Sequence, residues 1–367
     1  MIGYRLGVPT GGWAAPSEGV EETVRTSEDG RRKREAPPVS RLSVGARLVV
    51  TACVFSVGCF ALAACDLGRE EEEAGDRETR EEQPTTAAPD PGAESRVGQS
   101  GPPATVKVVA AGDLASCETR DDEVTAALAG RLRPHAILTL GDNAYPDGTR
   151  RDFHHCYSPS WGRFLGKTLP APGNHDYQTP RARAYFAYFR RRAPGPYYSR
   201  NLGRWHVVSL NSEIDVGAGS AQERWLRADL ARDRHRCELL YWHRPRWSGG
   251  GSEEGMQALW RAAYRHGVEL VLSGHSHNYQ RFRPLDAAGR RDRRFGVRQI
   301  VAGTGGGGRH HPLAWVRNRV SADSTTYGVV LLALRPRSYA LRFVPAADGT
   351  FRDRLRGAPC HRAPPRR

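Results

Sequence analysis

Eight polar residues of the sequence have side chains that can bind metal ions or transfer protons. They are Asp113, Asp142, Tyr145, Asn174, His175, His243, His275 and His277. Carboxylates, imidazoles and amide oxygens together form a mixed ligand set that suits iron, manganese or zinc. Two metal ions about 3.5–4 Å apart need a shared ligand, and a carboxylate can provide it. These residue types therefore predict a centre that holds two metal ions, with one Asp as the bridge.

Short apolar segments precede most of these residues and predict the strands that position them. The segments that end shortly before a candidate ligand are Val106–Ala111, Ala136–Leu140, Leu239–Trp242 and Val268–Leu272. Apolar runs of this length are typical of buried strands. Because ligands of α/β sheets bind at the carboxyl ends of the strands, we expect the polar residues to meet in one crevice.

The remaining predicted elements are first helices and strands in alternation, and then mainly strands. Three helices are predicted. The first is Asp121–Arg131, the second begins at a capping box at Ser220–Glu223, and the third is Met256–Tyr264. In the second helix, Trp225, Leu226 and Leu230 fall on one face. Further strands are predicted at Trp205–Leu210, Val297–Ala302, Tyr327–Leu334 and Ser338–Val344, the last two as a hairpin. The pattern alone predicts an α/β domain with a β-rich C-terminal part.

Five short blocks of the sequence resemble, in the same order, the blocks of the calcineurin-like metallophosphoesterases. They are Gly112-Asp113, Gly141-Asp142-Asn143, Gly173-Asn174-His175, His243 and Gly274-His275-Ser276-His277. The resemblance covers nearly all of Thr105–Tyr279. It implies an α/β fold that is a four-layer α/β/β/α sandwich of two mixed sheets.

Two details are similar to the purple acid phosphatases within that superfamily. The first block, Asp113-Leu114-Ala115, lacks a His that many members have, and Gly141-Asp142-Asn143-Ala144-Tyr145 resembles the Gly-Asp-x-x-Tyr block of this branch. In that family the Tyr phenolate binds ferric iron. The resemblance thus implies Fe(III) together with a divalent Fe, Zn or Mn ion.

The same resemblance assigns the ligands to the two ions. The first ion would be bound by Asp113, Asp142, Tyr145 and His277, and the second by Asp142, Asn174, His243 and His275. His175 would contact the substrate phosphate and stabilise or protonate the leaving oxygen. The sequence departs from the family pattern at Arg244–Trp247, which lacks a second His, and at Asp176, where Glu is frequent.

The activity that the resemblance implies is hydrolysis of phosphate esters by direct attack of a metal-bound hydroxide. We expect an exported, acid phosphatase-like phosphomonoesterase. A phosphodiesterase or nucleotidase with the same metal centre is the nearer alternative, because loops determine specificity. A non-catalytic, lipid-anchored binding protein is the more distant one. The sequence does not indicate an oligomeric state.

The first 104 residues have the composition of a signal and a tether. Residues 1–64 are interpreted as a disordered stretch followed by a signal peptide, whose apolar region is Leu48–Ala64. Leu62-Ala63-Ala64-Cys65 resembles the lipobox of bacterial lipoproteins, in which the Cys carries the lipid. Residues 65–104 are acidic and rich in Pro, as expected of a solvated tether. We therefore predict an extracytoplasmic, membrane-anchored lipoprotein, or alternatively a secreted protein, with residues 105–367 as the catalytic domain.

Charge and cysteine content add two expectations. The net charge of +15 favours phosphate-bearing partners in general, but without a nucleic-acid-binding motif we do not expect nucleic acid as a specific partner. Cys117 and Cys156 each follow a ligand-bearing strand, whereas Cys237 precedes one and Cys360 lies near the C-terminus. Of three pairings, we predict Cys117–Cys156 and Cys237–Cys360.

Two further features of the sequence receive structural interpretations. The glycine-rich segment Gly303–Gly308 lacks the ending of a nucleotide-binding loop, and we predict a turn that lets the backbone approach the metal crevice closely. The other histidines are interpreted as ordinary surface or core residues; they include His154, His155, His206, His235, His266, His310, His311 and His361.

Overall fold

The strands form two sheets in this computed structural model, which describes residues 105–308 and 310–365. Cys65 and the predicted signal and tether lie outside the described residues. The strands are β1 (Val106–Ala111), β2 (Ala136–Leu140), β3 (Thr168–Ala171), β4 (Tyr198–Leu202), β5 (Trp205–Ser209), β6 (Cys237–Tyr241), β7 (Leu270–Ser273), β8 (Tyr279–Leu285), β9 (Val297–Ala302), β10 (Arg319–Asp323), β11 (Gly328–Arg335), β12 (Ser338–Pro345) and β13 (Asp353–Pro359). The helices are α1 (Asp121–Arg131), α2 (Arg150–Asp152), α3 (Arg183–Phe189), α4 (Ala221–Arg232) and α5 (Gln257–His266).

Both sheets mix parallel and antiparallel strands. The first has the order β13-β12-β11-β1-β2-β3, in which β1, β2 and β3 are parallel and β11 pairs antiparallel with β1. The second has the order β10-β8-β9-β7-β6-β5-β4, with β5, β6, β7 and β9 parallel. Parallel neighbours end at the same edge of a sheet, so each sheet presents a row of carboxyl ends.

Alternate residues of the second sheet pack into two different cores. In β6, Leu239 and Tyr241 join the core shared with the first sheet, whereas Leu240 packs with residues of α4 and α5. The hydroxyl of Tyr241 also donates to the carbonyl of Leu169 in the first sheet, at 3.1 Å. Because α1 contacts β11 and the second sheet covers the inner face, α1 lies on the outside of the first sheet. The predicted four-layer α/β/β/α sandwich of two mixed sheets is confirmed.

Local sequence signals account for the ends of the two helices that cover the second sheet. Ser220 caps α4, because its hydroxyl accepts from the backbone N–H of Glu223 at 3.1 Å. The predicted capping box is only half formed, since the Glu223 carboxylate accepts from Gly219 N at 3.3 Å instead of from Ser220 N. Helix α5 ends at Gly267, whose φ of +82° is the left-handed conformation that glycine adopts readily.

Two disulfides connect distant parts of the domain. Cys117 is bonded to Cys156 and Cys237 to Cys360, across 39 and 123 residues respectively. These are the two pairs that the positions of the cysteines predict. Within the described residues, no helix has the length and apolar character needed to cross a membrane.

Candidate metal centre

The candidate ligands converge where parallel strands of both sheets end. Asp113 and Asp142 follow the neighbouring strands β1 and β2, and His275 follows β7. All three have left-handed backbone conformations, with φ of 59°, 50° and 67° respectively. Non-glycine residues adopt this region rarely and at an energetic cost. The turns after these strands are therefore shaped to direct particular side chains inward.

One group of side chains surrounds the hydroxyl of Tyr145. That oxygen lies 3.1 Å from Asp113 Oδ1, 3.2 Å from Asp142 Oδ2 and 3.1 Å from His277 Nε2. The distance between His277 Nε2 and Asp113 Oδ1 is also 3.1 Å. These are the four residues that the family resemblance assigns to the first metal ion.

A second group lies on the other side of Asp142. Asn174 Oδ1 is 3.1 Å from His243 Nε2 and 3.0 Å from His275 Nδ1. The two imidazole nitrogens are 3.2 Å apart, and His243 Nε2 lies 3.1 Å from Asp142 Oδ2. These side chains are the ones assigned to the second metal ion, and the two groups share a single atom, Asp142 Oδ2.

Backbone groups hold the carboxylates and one imidazole in orientations suited to ligation. The N–H of His175 donates to Asp142 Oδ1 at 2.8 Å, and that of His275 donates to Asp113 Oδ2 at 2.9 Å. Each carboxylate therefore turns its other oxygen towards the centre. His243 Nδ1 lies 2.9 Å from the carbonyl oxygen of Leu140. Because a carbonyl oxygen can only accept a hydrogen bond, Nδ1 carries the proton, and the lone pair of Nε2 faces the other candidate ligands.

The geometry and donor chemistry fit two metal ions. Ligands bonded to one ion at about 2.0–2.2 Å are separated from each other by about 3 Å. The separations within both groups are 3.0–3.2 Å. Asp113, Asp142 and His243 are buried and have ligand atoms within 4.8 Å of one another, which places the first and second groups side by side around Asp142. The donor set combines carboxylate, phenol, amide oxygen and imidazole, which suits iron, zinc or manganese.

The protonation states inside the centre depend on its dense charge. Burial raises the pKa of Asp113, but the nearby histidines, led by His277, together bring it below its ordinary value. Burial lowers the pKa of His243, but Asp142 and Asp113 outweigh this effect and raise it to about 10. Burial, together with the charge of His243, lowers the pKa of His275 to about 3. A positive charge is thus strongly favoured between the carboxylates, where a metal ion would replace the proton of His243.

His175 lies beside both ligand groups but belongs to neither. Its Nε2 is 4.0 Å from Asp142 Oδ2, and its ring packs 4.4 Å from the ring of Tyr145, measured between centroids. The carbonyl of Pro146 accepts a hydrogen bond from His175 Nδ1 at 2.5 Å. The side chain is one-third exposed, in contrast to the buried Asp142. This placement suits a group that contacts a bound substrate.

Asp176 supports the centre, although sequence analysis noted it only as a departure from the family pattern. The buried carboxylate of Asp176 accepts from Gly173 N and Asn143 Nδ2, both at 2.9 Å. It thereby fixes the loop of Asn174 to the loop of Asp142. Burial and the charge of Asp142 raise the pKa of Asp176 to about 7. The sequence signal that could have indicated this role is the position of Asp176 directly after the Gly173-Asn174-His175 block.

The glycine-rich segment lies against the ligands, as the sequence predicts. A Cβ at Gly307 would overlap the ring of Tyr145, and a Cβ at Gly308 would overlap the ring of His277. Gly307 N also donates to the carbonyl of Asp113 at 2.8 Å. Beyond this segment, His311 stacks on His277 with the ring centroids 4.2 Å apart. His311 was interpreted as an ordinary residue, but it helps to orient a candidate ligand.

Comparisons with known proteins agree with the geometry of the centre. The model of the calcineurin-like phosphoesterase family matches residues 106–279. Purple acid phosphatase 15 of Arabidopsis thaliana is 27% identical over 217 residues, which are 48% of this chain and 40% of that protein. Acid phosphatase A of Cryphonectria parasitica is 29% identical over 195 residues, which are 44% of this chain and 38% of that protein. The chain thus spans less than half of the length of these relatives.

Solved structures share the fold at lower sequence identity. The purple acid phosphatase PPD1 from yellow lupin (Lupinus luteus) seeds has a TM-score of 0.57 and 18% identity, covering 68% of this chain and 53% of that one. GAP50, the anchor in the inner membrane complex of Plasmodium, has a TM-score of 0.53 and 13% identity, covering 69% and 89%. The family match and the relatives agree with the order of the ligand blocks: residues 106–279 match the calcineurin-like phosphoesterase family and are similar in sequence to purple acid phosphatases.

Proposed function

We propose that the protein hydrolyses phosphate esters with a dinuclear metal centre, most readily phosphomonoesters at acidic pH. The observation that carries this proposal is that two groups of ligand atoms share only Asp142 Oδ2. Such an arrangement suits two ions that act together on one phosphate group. The similarity to acid phosphatases supports the preference for monoesters.

Asp113, Asp142, Tyr145 and His277 would bind one ion, and Asn174, His243, His275 and the same Asp142 would bind the other. Bound ions of this kind lower the pKa of water and stabilise negative charge on phosphate oxygens. The Tyr145 hydroxyl lies within 3.1–3.2 Å of three candidate ligands, which supports its role as a ligand of the first ion. Ferric iron at that position follows from the resemblance, because the corresponding Tyr binds ferric iron in purple acid phosphatases. The divalent partner in this proposal is iron, zinc or manganese.

The residues of the chain itself position the substrate and move a proton. The hydrogen bond from His175 Nδ1 to the carbonyl of Pro146 orients the imidazole so that Nε2 faces the centre. We assign to Nε2 the role of donating a proton or hydrogen bond to the leaving oxygen as its negative charge develops. The carbonyl of Pro146 supports that role by holding the ring in place.

Metal analysis combined with an activity assay tests the proposal. Wild-type protein is expected to contain two metal ions and to hydrolyse p-nitrophenyl phosphate faster than bis(p-nitrophenyl) phosphate or AMP. Asp142→Ala should lose metal and activity together, because both ligand groups lose their shared oxygen. Asp348→Ala, at an exposed position, should change neither.

The assay also distinguishes the alternatives. Faster cleavage of the diester or of AMP would identify a phosphodiesterase or nucleotidase with the same centre. A wild-type protein that binds no metal and hydrolyses none of the three substrates would refute a catalytic role.

An extracytoplasmic, lipid-anchored location is the second part of the proposal. It rests on the resemblance of Leu62–Cys65 to a lipobox, and the two disulfides support it because disulfides persist mainly in oxidising compartments. Cys65→Ala is expected to abolish incorporation of labelled lipid in a bacterial host and to change processing, while Cys59→Ala should do neither. Unchanged mass and membrane retention of Cys65→Ala would indicate an uncleaved anchor, and release of wild-type protein would indicate secretion.

A further inference from the structure

A second cluster of potential metal ligands lies near the amino ends of the parallel strands of the second sheet. It consists of His206 in β5 and of Asp233 and His235 in the connection from α4 to β6. Their ligand atoms all lie within 4.8 Å of one another. His235 Nδ1 is 2.6 Å from Asp233 Oδ1, and His206 Nδ1 is 3.6 Å from the same oxygen. Sequence analysis interpreted both histidines as ordinary residues.

The cluster is largely shielded from solvent. The side chains of His206 and Asp233 are 8% and 7% exposed, and that of His235 is 26% exposed. Two nitrogens and one carboxylate oxygen around one point are the donors that zinc prefers, with the remaining position taken by water or another ligand. Asp233 is also the C-terminal cap of α4, and the negative end of a helix dipole favours a cation there.

A further carboxylate fixes the orientation of His206. Its Nε2 lies 2.7 Å from Asp229 Oδ2, so Nε2–H donates. Its Nδ1 lies 2.9 Å from Asn201 Oδ1 and 3.6 Å from Asp233 Oδ1, so a zinc ion bound by Nδ1 would replace the proton that the Asn201 oxygen otherwise accepts. The other oxygen of Asp229 accepts from the hydroxyl of Ser199 at 3.1 Å. A carboxylate that accepts from the second nitrogen of a ligating histidine is a frequent feature of zinc sites.

The cluster is separate from the catalytic centre. His235 precedes β6, whereas His243 follows it, so the length of the strand lies between the two sites. Five residues of strand span roughly 17 Å. His235 also lines a surface cavity of about 650 Å³, which gives ions access from solvent. Arginines line the same cavity, among them Arg204 and Arg337, and could attract an anion as the remaining ligand.

We propose that His206, Asp233 and His235 bind one divalent zinc ion, with Asp229 positioning His206. This inference does not depend on the phosphoesterase function. The competing explanation is a purely ionic cluster in which protons bridge the histidines to Asp229 and Asp233. A zinc ion can bind only if those protons leave. The zinc site therefore predicts tight zinc binding, whereas the ionic cluster predicts only a contribution to the stability of the protein.

Zinc titration in the Asp142→Ala background tests the proposal with the catalytic centre disabled. After removal of metal, titration with zinc chloride by calorimetry is expected to reveal one tight site in Asp142→Ala. That site should be lost when Asp233→Asn or His235→Ala is added, and retained when the exposed His155→Ala is added. Asp229→Asn should keep the site but weaken it about 10–100-fold, because the orienting carboxylate is neutralised.

Circular dichroism of each variant establishes that it is folded before titration. His235→Ala changes a partly exposed side chain and provides a second variant if Asp233→Asn does not fold. Failure of folded Asp142→Ala to bind zinc would overturn the proposal. The proposal would also be overturned if Asp142→Ala bound zinc equally well with and without the added Asp233→Asn or His235→Ala substitution. This outcome does not depend on whether the wild-type protein hydrolyses phosphate esters.

Discussion

Replacing His175 by Ala is expected to separate metal binding from turnover. The substitution removes the imidazole beside the ligands but keeps the backbone N–H, which holds Asp142 Oδ1 at 2.8 Å. The imidazole Nε2 is 4.0 Å from Asp142 Oδ2, well beyond the 3.0–3.2 Å that separates the candidate ligands from one another. Both ions should therefore remain bound in His175→Ala.

The size of the effect follows from the role of a positioned acid. Loss of such a group typically lowers the rate by about 10²–10⁴-fold, which corresponds to about 2.7–5.5 kcal/mol of activation free energy. The hydrogen bond to the carbonyl of Pro146 restricts the ring, which places the expected effect above the lower end of that range. The loss should be smaller for p-nitrophenyl phosphate than for an alkyl phosphate, because nitrophenolate leaves without needing a proton.

Steady-state kinetics and metal analysis on the same preparations provide the measurement. His175→Ala should show wild-type metal content and a reduced kcat for both substrates, and His155→Ala, at an exposed position outside the centre, should show neither change. Loss of metal in His175→Ala comparable to that in Asp142→Ala would refute the separation of roles. An equal decrease of kcat for aryl and alkyl phosphates would refute proton donation and leave a role in binding the phosphate.

Three other substitutions test the centre and its surroundings. Tyr145→Phe should remove a visible ferric–phenolate absorption band while preserving the fold, and an active, colourless wild-type protein with only divalent metal would contradict the iron assignment. Gly307→Ala should lower metal content and turnover because a Cβ would overlap the ring of Tyr145, whereas Gly166→Ala should not, since nothing lies within 4 Å of its added Cβ; similar effects of both would refute this steric argument. Glu238→Gln should flatten the pH dependence of stability. Burial, with the charge of Glu269, raises the pKa of Glu238 from 4.5 to about 9, so its contribution to the free energy of unfolding is fully present below pH 4.5 and lost as pH rises through about 9. Urea denaturation at pH 5 and pH 9 measures this, and an equally steep pH dependence in both proteins would contradict it.

Most core strands could be predicted from the sequence, whereas β8 and the edge strands β3, β4, β10 and β13 were not. The predicted bounds of β1, β2 and α1 agree with the structure, because uniform apolar runs and acidic helix starts mark them clearly. Strands β4 and β13 were missed, since both lie at sheet edges and have mostly exposed or half-exposed residues. Their positions depend on pairing with partner strands, which no local pattern reveals.

The candidate ligands could be predicted for a related reason. Each follows a strand end or belongs to a short block of recognisable spacing, so its approximate place was implied by the order of the chain. The roles of Asp176 and of the cluster around His206 were not predictable in this way. Asp176 acts through hydrogen bonds to Gly173 and Asn143, and His206 meets Asp233 only because β5 begins beside the end of α4.

Turns and backbone hydrogen bonds of the chain position the candidate ligands. The left-handed conformations of Asp113 and Asp142 each cost on the order of 1–2 kcal/mol. The hydrogen-bonded ladder continues past the strands at this point, because Asp113 N donates to the carbonyl of Gly141 at 3.0 Å and Leu114 N donates to that of Asp142 at 2.9 Å. These bonds, together with the amides that hold the carboxylates, offset the strain and leave the ligand atoms about 3 Å apart. Preorganisation of this kind concentrates negative charge between the two ligand groups, so the turns that end β1 and β2 would stabilise a cation bound there.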